Sequence, residues 1–262
     1  MCSGLSANLI KCNKSTSVRS KLTCHYRRTL IPYKRWKEEV LNFDPWVAQL
    51  HDFMRDEESD FFMQESKKTL VPSVAGRVVD GVKYGTTGYV RVGKVAWFLD
   101  NHTDPTVGLI SRRIEELTTF DTKWRETGPS GAEPFQTVGY GIGGNLMPHM
   151  DHHNASKFER DGMMKNSGNR MVTMLLYLND VEKGGATVWP KLNVSFFPVK
   201  NAAVYWFNYK RSGEVDRRLV HAACPVILGH KWVATKWIRE KNQFKSRPCG
   251  LHPNSTDTYL YI

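Results

Sequence analysis

The chain has 262 residues, 40% apolar and 24% charged, proportions that suit a globular domain and exclude disordered and fibrous classes. No run of eighteen apolar residues occurs, so no membrane-spanning helix is expected, and the start Met1-Cys2-Ser3-Gly4 lacks the apolar stretch of a secretory signal. On those grounds the sequence reads as cytosolic or as a fragment. The net charge of +11 is uneven: residues 1–40 hold nine Lys/Arg against Glu38 and Glu39. Such a stretch could meet nucleic acid or an acidic partner, but no nucleic-acid motif accompanies it. It reads as a solvated basic arm or linker.

After this arm, residues 41–50 pattern as a turn followed by a strand. Asp56-Glu57-Glu58 opens a helix that runs to about Lys68, with acidic residues in its first turn and Lys67-Lys68 in its last, as the helix dipole favours. Short β-rich pieces broken by glycine fill 71–103. A second helix is expected over 104–120, with Asp104 as N-cap, Pro105 in the first position, and Val107, Ile110, Ile114 and Leu117 on one apolar face. From Gly128-Pro129 onward the pattern is β, with strands expected at 134–142, 146–150, 170–179, 186–189, 194–198, 202–208, 218–223 and 231–239. Eight short strands after supporting helices predict a mainly β (α+β) domain built as a jelly roll, or double-stranded β-helix. The domain is expected to span 41–245, with a tail over 246–262. A polar gap from His152 to Asn169 interrupts the strands.

Two residues just before this gap carry the chemistry. In a strand, positions i and i+2 share a face, so His149 and Asp151 can converge on one point. His221 is the best third ligand, and two histidines with one carboxylate define the facial triad of non-haem iron(II) oxygenases. On spacing alone, His152 and His153 remain rival ligands. Lys231 lies ten residues beyond His221 at the start of an apolar strand, with Gly229 between them allowing a tight reversal. A lysine buried there needs an anion, and 2-oxoglutarate would balance the charges of iron(II), Asp151 and Lys231.

Tyr140-Gly141-Ile142-Gly143-Gly144, His149-Met150-Asp151, Gly184-Gly185-Ala186-Thr187-Val188-Trp189-Pro190, His221-Ala222-Ala223-Cys224-Pro225-Val226 and Gly229-His230-Lys231-Trp232-Val233 occur in that order. With His51-Asp52-Phe53-Met54 and Asp56-Glu57-Glu58 near the start, they resemble the catalytic domain of prolyl 4-hydroxylases, most closely the collagen-type α subunit, from about residue 24 to 250. The resemblance implies an iron(II)- and 2-oxoglutarate-dependent dioxygenase that hydroxylates peptidyl proline at C4 and releases succinate and carbon dioxide. His149, Asp151 and His221 would hold iron. Lys231 would take the distal carboxylate of 2-oxoglutarate, with Thr173 and Tyr140 helping to seat it. Trp206 and Trp237 read as barrel packing. The resemblance adds ascorbate as reductant and protein disulfide isomerase as partner subunit. The residues after Asp151 depart from the family, which commonly has an aromatic where this chain has His152-His153. The collagen-type subunit's amino-terminal dimerisation and peptide-binding domains have no counterpart, which points to a truncated sequence. A different dioxygenase on the same scaffold, acting on another peptide residue or a small molecule, and a non-catalytic binding module are the alternatives.

Of the five cysteines none forms a CxxC pair, so a zinc knuckle or thioredoxin motif is not expected. The resemblance implies that Cys224 pairs with Cys249, and by the same logic Cys2 with Cys24, leaving Cys12 free. Together with sequons at Asn13, Asn101, Asn154, Asn193 and Asn254, the cysteine clusters lean toward the endoplasmic reticulum lumen. The gap 152–169 is expected to serve as a lid over bound peptide, with Gly162 and Gly168 as hinges.

Overall fold

The structure, a computed structural model, describes residues 24–29, 31–73, 75–79, 82–86, 90–153, 162–252 and 255. The first strands are β1 (Cys24–Arg28), β2 (Arg35–Asn42) and β3 (Val47–His51), followed by helix α1 (Asp56–Thr69). Next come β4 (Val71–Pro72), β5 (Ala75–Val79), β6 (Val82–Thr86), β7 (Arg91–Val92), β8 (Lys94–Phe98) and helix α2 (Thr106–Thr118). Then follow β9 (Phe135–Tyr140), β10 (Asn145–His149), the short helix α3 (Gly162–Ser167) and β11 (Arg170–Tyr177). The remaining strands are β12 (Lys183–Gly184), β13 (Thr187–Trp189), β14 (Val194–Phe196), β15 (Ala203–Phe207), β16 (His221–Ala223), β17 (Val226–Leu228) and β18 (Lys231–Arg239).

Among the described residues, the major sheet has nine antiparallel strands in the order β1-β2-β3-β15-β11-β18-β9-β8-β4, and the minor sheet five, β14-β13-β16-β10-β7. The major sheet buries two faces, and strand alternation sorts its residues between them. Phe135, Val172, Met174, Leu176, Tyr205, Trp232, Ala234 and Ile238 join the helices in one core. The opposite positions, Val138, Tyr140, Tyr177, Val204, Trp206 and Val233, pack with Trp189, Phe196 and Leu219 in the second. This second interior is the inside of the jelly roll, and the site lies in it.

The helices brace the outer face. In α2, Val107, Ile110 and Ile114 are fully buried and Leu117 nearly so, as the 3.6-residue period requires. The helix starts one residue later than Asp104 as N-cap would place it, yet Asp104 still caps: its Oδ1 accepts the Thr106 N–H at 2.8 Å. In α1, Phe62 is fully buried, and the buried Glu58 takes two hydrogen bonds from Arg113, at 2.6 and 2.7 Å.

The fold corrects four expectations. The second half of the supposed basic arm belongs to the sheet: β1 pairs with β2 and β2 with β3, so a boundary at residue 40 would cut β2. Trp36 and Val40 alternate with charged residues and are buried, a period-2 pattern masked in the sequence by the surrounding charge. The strand expected over 218–223 begins as a 3₁₀ turn, Arg217–Leu219, because the Asp216 side chain accepts the Arg218 N–H; His221 therefore opens its strand instead of closing one.

In the gap, residues 154–161 lie outside the described residues, but α3 is packed in place. Met164 is fully buried and Ser167 Oγ accepts the Ser130 N–H at 2.9 Å. Gly168 is no hinge. It adopts φ +78°, a Cβ there would meet Glu240 at 2.3 Å, and its carbonyl accepts a hydrogen bond from Arg239.

The cysteine pairings also change. Cys224 is half of a disulfide, but Cys249 and Cys24 are free, exposed thiols, so neither Cys224–Cys249 nor Cys2–Cys24 forms. The tail that carries Cys249 is tied elsewhere: Arg211 donates to the Pro248 carbonyl and accepts the Gly250 N–H through its own carbonyl. Cys2 and Cys12 lie outside the described residues.

Candidate active site

β10 and β16 are antiparallel neighbours in the minor sheet, with His149 directly opposite His221. Their rings lie 4.3 Å apart, centroid to centroid. Asp151 follows two residues after His149 and completes the cluster: its Oδ1 is 3.6 Å from His149 Nε2 and its Oδ2 3.5 Å from His221 Nε2. The three ligand atoms all lie within 4.8 Å of one another. His152 and His153 stay out of this cluster, and the His153 backbone is instead clamped by the Asn169 side chain at 2.8 and 2.9 Å.

Each histidine is aimed by its own strand. His149 Nδ1 lies 2.9 Å from the Met147 carbonyl and His221 Nδ1 3.0 Å from the Leu219 carbonyl. A carbonyl only accepts, so both Nδ1 atoms carry the proton and both Nε2 lone pairs face Asp151, the arrangement a metal ion needs. Burial, reinforced by His149, pushes the His221 imidazole down to about 4, which keeps it neutral and ligating near pH 7. Burial also works to raise the Asp151 carboxyl. The imidazoles of His221 and His149 and the Arg170 guanidinium outweigh it, holding the group well below the usual carboxylate range.

A second set of residues fixes the carboxylate, and sequence reasoning missed most of it. Thr173 Oγ1 donates to Asp151 Oδ2 at 2.7 Å, Asn208 Nδ2 donates to Thr173 Oγ1 at 3.0 Å, and Trp206 Nε1 donates to Asn208 Oδ1 at 3.1 Å. Trp206 therefore does more than pack: its ring also lies 4.8 Å from that of His221. Asn208 sits just beyond the end of β15, and only the cross-strand register of β11 with β15, Thr173 opposite Trp206, reveals the chain.

The same cavity continues between the sheets, with about 490 Å³ of empty space, its mouth included. Tyr140, Thr173 and Lys231 line it with the three ligands, as do Arg91, Gln136 and Thr187. Arg91 and Gln136 carry no motif; alternation with Val138 and Tyr140 along β9 was the available signal for Gln136. Lys231 stands opposite Tyr140 in the register of β18 and β9. The reversal into its strand passes through Gly229 at φ +84°. Lys231 is 1% exposed, and its ammonium donates to the Gly185 carbonyl at 2.7 Å and Thr187 Oγ1 at 3.2 Å. No carboxylate among the described residues pairs with it, and burial pulls it down to about 7.

Two inward-facing imidazoles, an ionised carboxylate and a buried cation without an acidic partner form one polar pocket in an otherwise apolar interior. That donor set suits an octahedral iron(II) with open positions. Residues 135–239 match the family described as the 2OG-Fe(II) oxygenase superfamily. The chain is also similar to the α subunits of prolyl 4-hydroxylases. It is 41% identical over 235 residues to subunit alpha-3 of Bos taurus, covering 88% of this chain and 41% of that one. Against subunit alpha-2 of Caenorhabditis elegans it is 36% identical over 247 residues, covering 92% and 43%. The chain thus spans less than half the length of these relatives. Among solved structures, a viral collagen prolyl hydroxylase from Paramecium bursaria Chlorella virus-1, in its 2OG complex, superposes with a TM-score of 0.55. It covers 74% of this chain and 95% of its own at 21% identity, a likeness that establishes the shared fold.

Proposed function

We propose that this chain is the catalytic part of a prolyl 4-hydroxylase, acting on proline within collagen-like or other proline-rich peptides. The observation that carries the reading is the placement of the His149–Asp151–His221 cluster and the acid-free Lys231 in one cavity, on a chain 41% identical to a prolyl 4-hydroxylase α subunit. Iron(II) with 2-oxoglutarate supplies the oxidising chemistry when bound, turning 2-oxoglutarate into succinate and carbon dioxide.

The chain's own residues do the rest. His149, Asp151 and His221 would hold the iron, with their lone pairs already directed by the Met147 and Leu219 carbonyls and the Thr173 hydroxyl. Lys231 would take the distal carboxylate of 2-oxoglutarate, helped by Thr187, while Tyr140 walls the same corner, its ring centroid 5.8 Å from the ammonium. Thr173 acts on the iron side, through Asp151. The sheets exclude water around the reacting centre, and the pocket fixes the orientation of the target proline.

The wider setting belongs to the same proposal. Ascorbate as reductant, protein disulfide isomerase as partner subunit and a place in the endoplasmic reticulum lumen follow from the likeness to collagen-type α subunits. The disulfide at Cys224 and the exposure of the sequon residues Asn101 and Asn193 support the lumenal part. The test is an assay of succinate release from the full chain with a series of proline-rich peptides, with and without iron(II), and mass analysis of the peptide. Iron-dependent succinate with a hydroxyl placed on proline C4 is expected. Succinate released without any hydroxylated peptide would sink the substrate assignment.

A further inference from the structure

Far along the major sheet from the cavity, a second cluster of ligating side chains stands on its outermost three strands. β1 is the edge strand, followed by β2 and β3. Cys24 on β1 is directly opposite Glu39 on β2, and Glu39 is directly opposite Gln49 on β3. His51 lies two residues beyond Gln49 and therefore on the same face. The Cys24 sulfur, a Glu39 carboxylate oxygen and a His51 ring nitrogen all lie within 4.8 Å of one another.

We propose that Cys24, Glu39 and His51 form a second metal site, for zinc(II) or a zinc-like divalent cation, distinct from the iron site. A thiolate, an imidazole and a carboxylate are the ligands zinc takes, and two anionic donors neutralise a dication. Bond lengths of about 2.0–2.3 Å place tetrahedral ligand atoms roughly 3.3–3.8 Å apart, so modest side-chain rotations close the cluster around an ion. His51 is arranged for it. Its Nε2 faces Glu39 Oε2 at 3.0 Å and its Nδ1 faces the buried Gln49 amide at 3.2 Å. Turning that amide presents an oxygen to Nδ1–H and frees Nε2 for the ion, the second contact that ligating histidines commonly have. Glu39 and His51 are half-buried and Cys24 is exposed, which leaves the fourth position to water. Since Cys24 is a free thiol, no disulfide competes for it. The cation would fasten the edge strand to β3 across β2.

The iron cluster contains no cysteine, and cobalt(II) uses that difference. Added to the reduced full chain, it should give a near-ultraviolet thiolate-to-cobalt absorption band that zinc(II) suppresses. Cys24→Ser should abolish the band, lower the zinc content by one ion per chain, and leave succinate release unchanged. Glu39→Gln and His51→Ala should each weaken cobalt binding at least tenfold, whereas His221→Ala should leave the band in place. No band, a band that survives Cys24→Ser, or mapping of Cys24 to a disulfide in the native chain would each overturn the proposal. Because the readout is independent of peptide hydroxylation, its failure would leave the proposed activity standing, and the reverse.

Discussion

Strand β18 carries two buried lysines, and they live in opposite worlds. Lys236, fully buried on the helix-facing side, has its anion built in: Asp100 accepts two hydrogen bonds from it, at 2.7 and 3.0 Å. Lys231, equally buried on the cavity side, has only a carbonyl and a hydroxyl. Burial lowers both, but for Lys236 the charges of Asp100, Glu133 and Asp121 push back, and for Lys231 nothing does. A cation kept for the fold is neutralised within the chain. One left waiting in a cavity points to an anion that arrives from outside.

Breaking the arriving half should have the largest effect. His149→Ala, Asp151→Ala and His221→Ala each remove one of three ligands, and iron-dependent succinate release should fall to background, with calorimetry showing weakened iron binding. The two lysines should then part company in stability. Lys236→Met leaves the Asp100 carboxylate unpaired and should cost about 3–5 kcal/mol in urea unfolding. Lys231→Met removes an unpaired buried charge and should leave stability equal or higher. Equal losses would mean that Lys231 is a structural residue.

For function the order reverses. Lys231→Ala should raise the 2-oxoglutarate concentration for half-saturation roughly 30-fold or more, with iron affinity unchanged. An unchanged KM would remove Lys231 from the cosubstrate site. Thr173→Val takes away one hydrogen bond to Asp151 and should weaken iron binding about tenfold, without a matching rise in the 2-oxoglutarate KM. The smallest and most graded effect is with pH. A Lys231 ammonium that titrates at about 7 in the free chain must take up a proton to meet a carboxylate above that pH. Affinity for 2-oxoglutarate should therefore decline above about pH 7, by at most tenfold per unit. Calorimetry in buffers of different ionisation enthalpy would register the proton uptake, and a flat profile would show that the ammonium stays charged without its ligand.

The sequence made these residues legible for unequal reasons. His149 and Asp151 share a face because the strand period is fixed at two, and the apolar face of α2 follows as directly from 3.6. Lys231 is marked by its place at the head of an apolar strand. What stayed hidden depends on which strands become neighbours. Asn208 reaches Asp151 only through Thr173 and the register of β11 with β15. The strands β1 and β2 hide because charge dominates their outer faces, and a short-range reading of charge mistakes a half-covered edge for a solvated arm. The cysteine pairs failed for the same reason: a pairing is set by the positions of chain ends in space, which neither spacing nor a relative's pattern fixes.

The alternation along β18 also bears on how the chain avoids misfolding. Lys231, Val233, Thr235 and Trp237 line the cavity, while Trp232, Ala234 and Ile238 join the helix-side core. A slip of one residue against β9 or β11 would exchange the faces. Lys231 would enter the apolar helix layer, and Lys236 would lose Asp100. A slip of two would keep the faces but carry Lys231 away from Gly185 and Thr187. The two buried charges thus act as a built-in proofreading device: a sheet assembled out of register strands a charge in the wrong interior, and only the alignment that builds the active site lets the sheet close.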